Sequence, residues 1–165
     1  MLLLRYSPIG VIHSPLKDAS GAPIQSAAAM HVRGTIEIYP KYVLGLRDVA
    51  EFSHLILLYH FHLCHRASLT VKPYLDSKEH GIFATRAPVR PNPIGLSVVR
   101  LLGVRGGTLT VQDLDVLDGT PLLDIKPYIP RFDARRVESI GWLQQNIDAL
   151  KRTKSDGRFT KRVIA

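Results

Sequence analysis

The sequence is poor in cysteine and in long apolar runs, and each shortage excludes a class of protein. Cys64 is the single cysteine among 165 residues, so we expect no internal disulfide and a reducing, cytoplasmic setting. The longest apolar run, around Leu55–Leu58, is far shorter than the roughly 20 residues of a membrane-spanning helix. The N-terminal leucines form too short a segment for a signal peptide. We therefore expect a cytoplasmic protein without a membrane partner.

Acidic residues are also few in comparison with basic ones. The chain has 14 Asp and Glu against 22 Lys and Arg, a net charge of +8. Much of this excess lies in residues 151–165, where Asp156 is the single acid among several lysines and arginines. Such a tail can bind RNA electrostatically, and a solvated, partly disordered tail has the same composition.

Alternating apolar and polar residues predict that most of the chain forms β-strands. In residues 53–63 every odd position is apolar or aromatic, while the even positions become polar towards His60 and His62, as in a strand with one buried face. Further predicted strands cover residues 9–13, 34–40, 69–72, 82–85, 94–104, 108–115 and 122–128. The 94–104 strand is apolar on both faces, which indicates cover on both sides or a bulge.

One segment has the spacing of a helix. Ile140, Leu143, Ile147 and Leu150 recur at helical intervals after Asp133, which can act as an N-cap. We therefore predict a mainly β protein, a small closed β-barrel followed by a C-terminal α-helix and a basic tail. The barrel domain is expected over residues 1–132, with the helix and tail of residues 133–165 packed on it or extending from it.

A proline-rich loop stands out among the polar segments. In GIFATRAPVRPNPIGLS, residues 81–97, three prolines exclude a helix and restrict the residues that precede them. The loop should therefore be stiff and should hold Arg86 and Arg90 in fixed directions. Both arginines suit a carboxylate or phosphate ligand, and both also suit ordinary surface ion pairs.

Neighbouring histidines raise the question of a metal site. His60, His62 and His65 lie close together in sequence, with Cys64 between them, and such residues can ligate zinc. A second group of ligands at metal-binding spacing is missing, so we predict no metal. Motifs for a serine nucleophile or a phosphate-binding loop are missing too.

Two further segments are candidates for a binding site. Asp118-Gly119-Thr120-Pro121 can be a plain turn between strands, or its aspartate and exposed amides can bind hydroxyl or amino groups. The Pro23-Ile24-Gln25 segment is a second polar cluster. From the residues alone, the turn is the simpler interpretation of the first segment.

Long motifs then connect these clusters with a known family. GIFATRAPVRPNPIGLS and LDGTPLLDIKPYIP, preceded by IGVIHSP and EFSHLILLYHFH, resemble the TsaA-like family, whose described members, called TrmO, are tRNA methyltransferases. The resemblance runs from about Ile9 to Pro130. It implies a β-barrel enzyme that uses S-adenosyl-L-methionine, works as a homodimer and methylates N6 of threonylcarbamoyladenosine beside the tRNA anticodon.

The resemblance also implies which residues bind the methyl donor. Arg86 is expected to hold the donor's carboxylate, and Asp118 with its loop amides the adenosine. Transfer to an acylated N6 must remove a proton, and His62 and Asp118 are the candidate bases. The implied donor-binding residues are Pro23, Ile24, Gln25, His62, Leu63, Arg86, Leu96, Asp118, Gly119, Thr120 and Pro121.

Three other functions remain open from the residues. The barrel can bind S-adenosyl-L-methionine and act on a different acceptor. It can bind nucleic acid through its tail and basic loop without catalysis, although it lacks interleaved surface aromatics. It can also be a small-molecule or metal-dependent enzyme that uses His60 and His62.

Overall fold

The protein folds as a closed antiparallel β-barrel, which confirms the predicted fold class. The computed structural model describes residues 3–160. Its strands are β1 Gly10–His13, β2 Ser20–Pro23, β3 Arg33–Ile38, β4 His54–His60, β5 Thr70–Val71, β6 His80–Gly81, β7 Ile94–Arg105, β8 Thr108–Gln112, β9 Thr120–Pro127 and β10 Lys154–Asp156. Around the barrel the strand order is β1-β3-β8-β7-β4-β9, and β2 with β10 and β5 with β6 form two small additional sheets.

The alternation in β4 explains why the barrel has a packed interior. Leu55, Leu57 and Tyr59 point inward and are almost completely buried, and they join one apolar cluster with residues from the other barrel strands. Successive side chains of a strand point to opposite faces, so the odd positions that are apolar in the sequence form the core.

β7 contains the bulge that its two apolar faces suggested. Its pairing with β8 shifts register between Leu101 and Gly103, which places an extra residue in the strand and bends it. The strand then enters a tight hairpin in which Gly106 has a φ of 57°, a conformation that glycine adopts without a steric penalty.

The antiparallel topology places three long connections at one end of the barrel. Residues 14–32, 61–93 and 113–119 link β1 to β3, β4 to β7 and β8 to β9, and all three leave the same rim, which we call the loop end. The opposite end is closed by 3-10 turns at Pro40–Leu46 and Val49–Glu51. Their apolar side chains pack against the core.

The α-helix predicted over residues 134–151 is wrong. A four-residue helix, α1, covers Pro130–Asp133, and the later residues form 3-10 turns at Gly141–Gln145 and Ile147–Ala149. Gly141 has a φ of 61°, which a continuous right-handed helix does not contain. The strand predicted at residues 82–85 is also wrong, because Ile82–Ala84 is a 3-10 turn.

The C-terminal segment returns to the loop end and packs there. β9 ends at the opposite rim, yet β10 pairs with β2, and Phe159 is 6% exposed in a second apolar cluster. The basic segment therefore packs on the body of the protein up to residue 160, and residues 161–165 of the predicted tail lie outside the described residues. Over residues 3–160, a helix with the length and apolarity to cross a membrane is not found.

Candidate functional site

A cavity of about 840 Å³ lies at the loop end of the barrel. This volume falls in the usual range for pockets that bind small organic molecules, about 300–1,000 Å³. Its walls come from the three long connections, from the first residues of β7 and from the C-terminal segment. The topology thus brings together segments that are far apart in sequence.

The proline-rich loop is braced from inside by Arg90. The Arg90 Nη1 group donates hydrogen bonds to the carbonyl oxygens of Ile82, at 3.1 Å, and Thr85, at 2.8 Å. Its guanidinium also lies 5.8 Å from the centre of the Phe83 ring. Arg90 therefore stabilises the loop conformation, and Arg86 is the exposed guanidinium that the loop presents.

Arg86 joins the proline-rich loop to the connection after β2. Its Nη1 donates to the side-chain oxygen of Gln25 at 3.1 Å, and both residues line the cavity. A guanidinium carries five N–H donors, so this single bond orients Arg86 and leaves capacity for a carboxylate ligand.

His62 lies just beyond the end of β4, so it does not share a strand face with His60 as predicted. Its Nδ1 is 3.2 Å from Thr120 Oγ1, and Thr120 donates its only hydroxyl proton to the Leu117 carbonyl at 2.7 Å. His62 Nδ1 must then carry the hydrogen in the neutral ring, which leaves Nε2 as the acceptor. Burial lowers the pKa of His62, with smaller effects from His60 and His65.

Asp118 is held on the outer side of its turn. It accepts a hydrogen bond from the Ser14 amide at 3.0 Å and lies 2.6 Å from Lys17 Nζ. The hydrogen bond from Lys17, followed by that from Ser14, lowers the pKa of Asp118. These contacts stabilise the turn that positions Thr120.

The cavity brings together eight of the eleven predicted donor-binding residues. Asp118, Gly119 and Pro121 are not among its lining residues. Those that line it are Pro23, Ile24, Gln25, His62, Leu63, Arg86, Leu96 and Thr120.

Sequence reasoning missed a hydrogen-bonded chain that links the barrel interior to the cavity. Ser97 Oγ donates to Asp115 Oδ1 at 2.5 Å, and the Tyr59 hydroxyl lies 3.0 Å from Ser97 Oγ. Asp115 and Tyr59 line the cavity. Burial raises the pKa of Asp115 to about 6, against the opposing effects of Ser97 and Arg86. The sequence has Asp113, Asp115 and Asp118 in one short connection, and nothing in its pattern distinguishes them.

Sequence reasoning also missed the aromatic wall from the C-terminal segment. Trp142 lines the cavity, donates from Nε1 to the Ala84 carbonyl at 2.8 Å, and stacks on His80 with 4.7 Å between ring centres. Leu143, Ile147 and Leu150 line the cavity beside it. These residues gave the helical spacing in the sequence, but they face the cavity from 3-10 turns.

The histidines do not form a metal centre with other potential ligands. Within residues 3–160, a group of three or more His, Cys, Asp or Glu side chains placed to hold a metal ion is not found. Burial raises the pKa of the Cys64 thiol, which disfavours the thiolate form that binds metals.

The fold and the cavity define a β-barrel domain with a ligand-sized pocket at one rim. The sequence matches the family model for the tRNA-methyltransferase O N-terminal domain over residues 11–134. This match covers most of the chain, so the protein belongs to the tRNA-methyltransferase O (TrmO) family.

Individual relatives agree with this assignment. The chain is 54% identical over 158 residues to a probable S-adenosyl-L-methionine-binding protein of Pyrococcus abyssi, covering 96% of this chain and 86% of that protein. It is 37% identical over 136 residues to the mouse tRNA (adenine(37)-N6)-methyltransferase, covering 77% of this chain and 31% of the mouse protein.

A solved structure confirms the similarity of the fold. The crystal structure of TrmO from Pseudomonas aeruginosa matches with a TM-score of 0.71 and 40% identity, covering 86% of this chain. The chain spans 63% of the length of that TrmO chain.

Proposed function

We propose that the protein is an S-adenosyl-L-methionine-dependent methyltransferase that modifies N6 of threonylcarbamoyladenosine beside the anticodon of tRNA. The observation that carries the proposal is the cavity itself, in which Gln25 from the 14–32 connection meets His62 and Arg86 from the 61–93 connection and Leu96 from β7. Membership of the family and the name of the mouse relative support a tRNA methyltransferase, and the name of the Pyrococcus relative supports the methyl donor.

The residues of the cavity fit the proposed donor. S-adenosyl-L-methionine supplies a methyl group on a positively charged sulfur, ready for displacement by a nucleophile. Arg86, oriented by Gln25, is placed to hold a carboxylate, and Leu63 and Leu96 give apolar walls. The rigid loop around Arg86 limits the motion of a bound ligand, and fixed geometry is a large part of catalysis by proximity.

Asp118 has a supporting role in this proposal. Since its carboxylate is bonded to Ser14 and Lys17, it positions the turn rather than contacting the donor. The Thr120 hydroxyl, held by this turn, then orients His62 at the cavity wall.

Surface features support an RNA acceptor. Arg131, Arg135 and Arg136 are exposed just before the segment that forms one cavity wall, and such groups bind phosphates. Phe83 is 76% exposed and lines the cavity, where a flipped or unstacked base can stack on it. We expect an enzyme that acts on such a tRNA to work in the cytoplasm.

We also propose that the enzyme works as a homodimer. Ile94 and Leu96 are 43% and 49% exposed at the cavity rim, so a second subunit would cover apolar surface beside the pocket. Sedimentation equilibrium at micromolar protein is expected to give the mass of two chains, and a monomer at all concentrations would contradict this part of the proposal.

The central test supplies the proposed substrate directly. Purified protein and S-adenosyl-L-methionine are incubated with tRNA from cells that lack this protein, and the tRNA is digested for mass spectrometry. The threonylcarbamoyladenosine nucleoside should gain the mass of one added methyl group in place of a hydrogen. Donor binding without any tRNA product indicates a different acceptor, and tRNA binding without donor binding indicates a non-catalytic RNA-binding barrel.

Calorimetry with S-adenosyl-L-methionine tests the donor site. Arg86→Ala should weaken binding by at least about tenfold, because a charge-assisted hydrogen bond to the carboxylate is lost. Arg105→Ala is the matched control, since Arg105 is exposed at the end of β7 remote from the cavity. Equal affinity of the Arg86 variant and the control would remove Arg86 from the site.

A further inference from the structure

We propose that Asp115 is the proton acceptor for the methyl transfer and that Ser97 and Tyr59 position its carboxylate. This inference rests on the proposed function, because it concerns the proton that an acceptor N–H must lose. Asp115 was not among the bases that the sequence suggested.

The geometry shows a carboxylate that is fixed and still faces the cavity. Ser97 is 1% exposed and donates to Asp115 Oδ1 at 2.5 Å. The Tyr59 hydroxyl lies 3.0 Å behind Ser97 Oγ inside the barrel, and Ser97 has already used its own proton, so Tyr59 must be the donor. Tyr59 therefore donates to Ser97, and Ser97 donates to Asp115. The Asp115 carboxylate is the final acceptor of this hydrogen-bonded series and faces the cavity.

The barrel backbone holds this chain in place. Tyr59 on β4 pairs with Gly95 on β7, and a Cβ added at Gly95 would overlap the ring of Tyr59. Ser97 follows two residues later on the same face of β7. The Tyr59 ring can cross to Ser97 because Gly95 leaves the space empty.

The charges around Asp115 suit a base at neutral pH. Burial is the largest effect on its pKa and raises it to about 6, and the guanidinium of Arg86 acts in the opposite direction. Burial likewise raises the pKa of Tyr59, so Tyr59 remains a neutral donor. A general base works best when its pKa lies near the operating pH.

The other candidate bases are less suitable. Asp118 is paired with Lys17 and does not line the cavity, and its lowered pKa makes it a weak base. Asp115 is the acidic residue that lines the cavity within residues 3–160. His62 remains the competitor, because its Nε2 is an acceptor and burial lowers its pKa, which favours the neutral ring.

The proposed step balances in atoms and charge. The acceptor N6 forms a bond to the methyl carbon while the carbon–sulfur bond of the donor breaks and its electron pair stays on sulfur. The N6 proton passes to the Asp115 carboxylate, which becomes neutral as the sulfonium charge disappears. The protonated carboxyl then returns its proton to water at the open cavity.

Single-turnover kinetics with Asp115→Asn test the proposal. The variant should bind S-adenosyl-L-methionine with an affinity within about twofold of the wild type, since the amide keeps the Ser97 hydrogen bond, while methyl transfer falls by about 100-fold or more. The wild-type rate should fall as the pH drops below about 6. His62→Gln should keep this acid limb, and Asp124→Asn, on β9 outside the cavity, is the control for loss of a carboxylate.

A readout independent of turnover is available from the carboxyl group itself. Carbon-13 NMR of protein labelled at aspartate Cγ should show one resonance that titrates near pH 6 and is absent from Asp115→Asn. The inference is wrong if this resonance titrates near the ordinary aspartate value, about 3.9. It is also wrong if the acid limb of the pH–rate profile is lost in His62→Gln and kept in Asp115→Asn. If the wild type itself transfers no methyl group to tRNA, the proposed function fails and the inference falls with it, whereas an active Asp115→Asn variant overturns the inference alone.

Discussion

Two aspartates of the β8–β9 connection have opposite environments. Asp118 accepts hydrogen bonds from Ser14 and Lys17 at the outer surface, and its pKa is lowered. Asp115 is turned inward and is supported by Ser97, and its pKa is raised. The charged form of Asp118 therefore stabilises the folded protein, whereas the charged form of Asp115 destabilises it. Asp118 thus has a structural role that Asp115 does not share.

The raised pKa of Asp115 predicts how stability depends on pH. Below about pH 3 the carboxyl is almost fully neutral in the folded and unfolded states. As the pH rises towards 6, the Asp115 carboxyl ionises more easily in the unfolded chain than in the folded protein. The free energy of unfolding therefore falls over this pH range. Asp115→Asn should therefore be more stable than the wild type by about 1–3 kcal/mol above pH 6, with the difference vanishing below about pH 3.

Urea unfolding at several pH values measures this difference. Asp124→Asn is the matched control, because Asp124 pairs with Lys126 at the surface and such pairs contribute little. A difference in unfolding free energy that does not change with pH would contradict the inference that the buried Asp115 carboxylate destabilises the folded protein. A variant that is less stable than the wild type at neutral pH would contradict it too.

At the scale of elements, the six barrel strands were predictable, whereas the C-terminal segment and most strands of the small additional sheets were not. Alternating side chains make a strand recognisable without knowledge of its neighbours, as in β4 and β9. Residues 140–150 have helical spacing, yet Leu143 and Ile147 face the cavity from short 3-10 turns. Leu143 is half-buried and Ile147 is 37% exposed. Both line the cavity together with residues of distant segments, and local spacing does not reveal that arrangement.

The C-terminal segment is attached to the site through β10 and Phe159. β10 pairs with β2, whose last residue, Pro23, begins the Pro23–Gln25 wall. Phe159 packs edge-on against Tyr74, with ring centres 5.0 Å apart, and Tyr74 bonds Ser155 at 2.8 Å. These contacts hold β10 beside β2 and thus one wall of the cavity.

Removing the Phe159 ring should loosen this wall. Phe159→Ala is expected to destabilise the protein by about 3 kcal/mol, because a buried ring and its packing are lost. Hydrogen exchange should accelerate at the amides of β2 more than at those of β4, and S-adenosyl-L-methionine should bind more weakly. Lys154→Ala, on the exposed side of β10, is the control, and equal exchange at β2 in both variants would show that Phe159 does not hold the wall.

At the scale of the whole molecule, the site could be predicted only in part. The long motifs indicated that Arg86, Leu96 and the segments around Gln25 and His62 belong together, and the cavity contains them. Asp115 and Trp142 were missed because their importance depends on which side of a connection faces the cavity. The direction in which a loop side chain points is set by tertiary contacts, as the contrast between Asp115 and Asp118 shows.

The net charge of +8 predicts that the proposed binding of tRNA weakens as the salt concentration rises. Each phosphate neutralised by Lys or Arg contributes about −0.7 to −0.9 to the slope of log K against log salt. A double variant, Arg135→Ala with Arg136→Ala, should reduce this slope by about one to two and weaken binding at moderate salt.

The matched control is a second double variant, Arg100→Ala with Arg105→Ala, which removes two positive charges far from α1. Arg100 and Arg105 are exposed on β7, and Arg105 lies about 36 Å along the strand from Ile94 at the cavity rim. Filter binding over a range of salt concentrations compares the two. Identical slopes would show that the arginines near α1 do not contact tRNA more than remote ones do.

The order of the segments along the chain has a consequence for synthesis on the ribosome. Every barrel strand precedes residue 128, while Trp142, Leu150 and Phe159, which complete the cavity, emerge later. A nascent chain can therefore close its barrel before the pocket exists, and a product released prematurely after β9 would be a folded barrel without a finished binding wall.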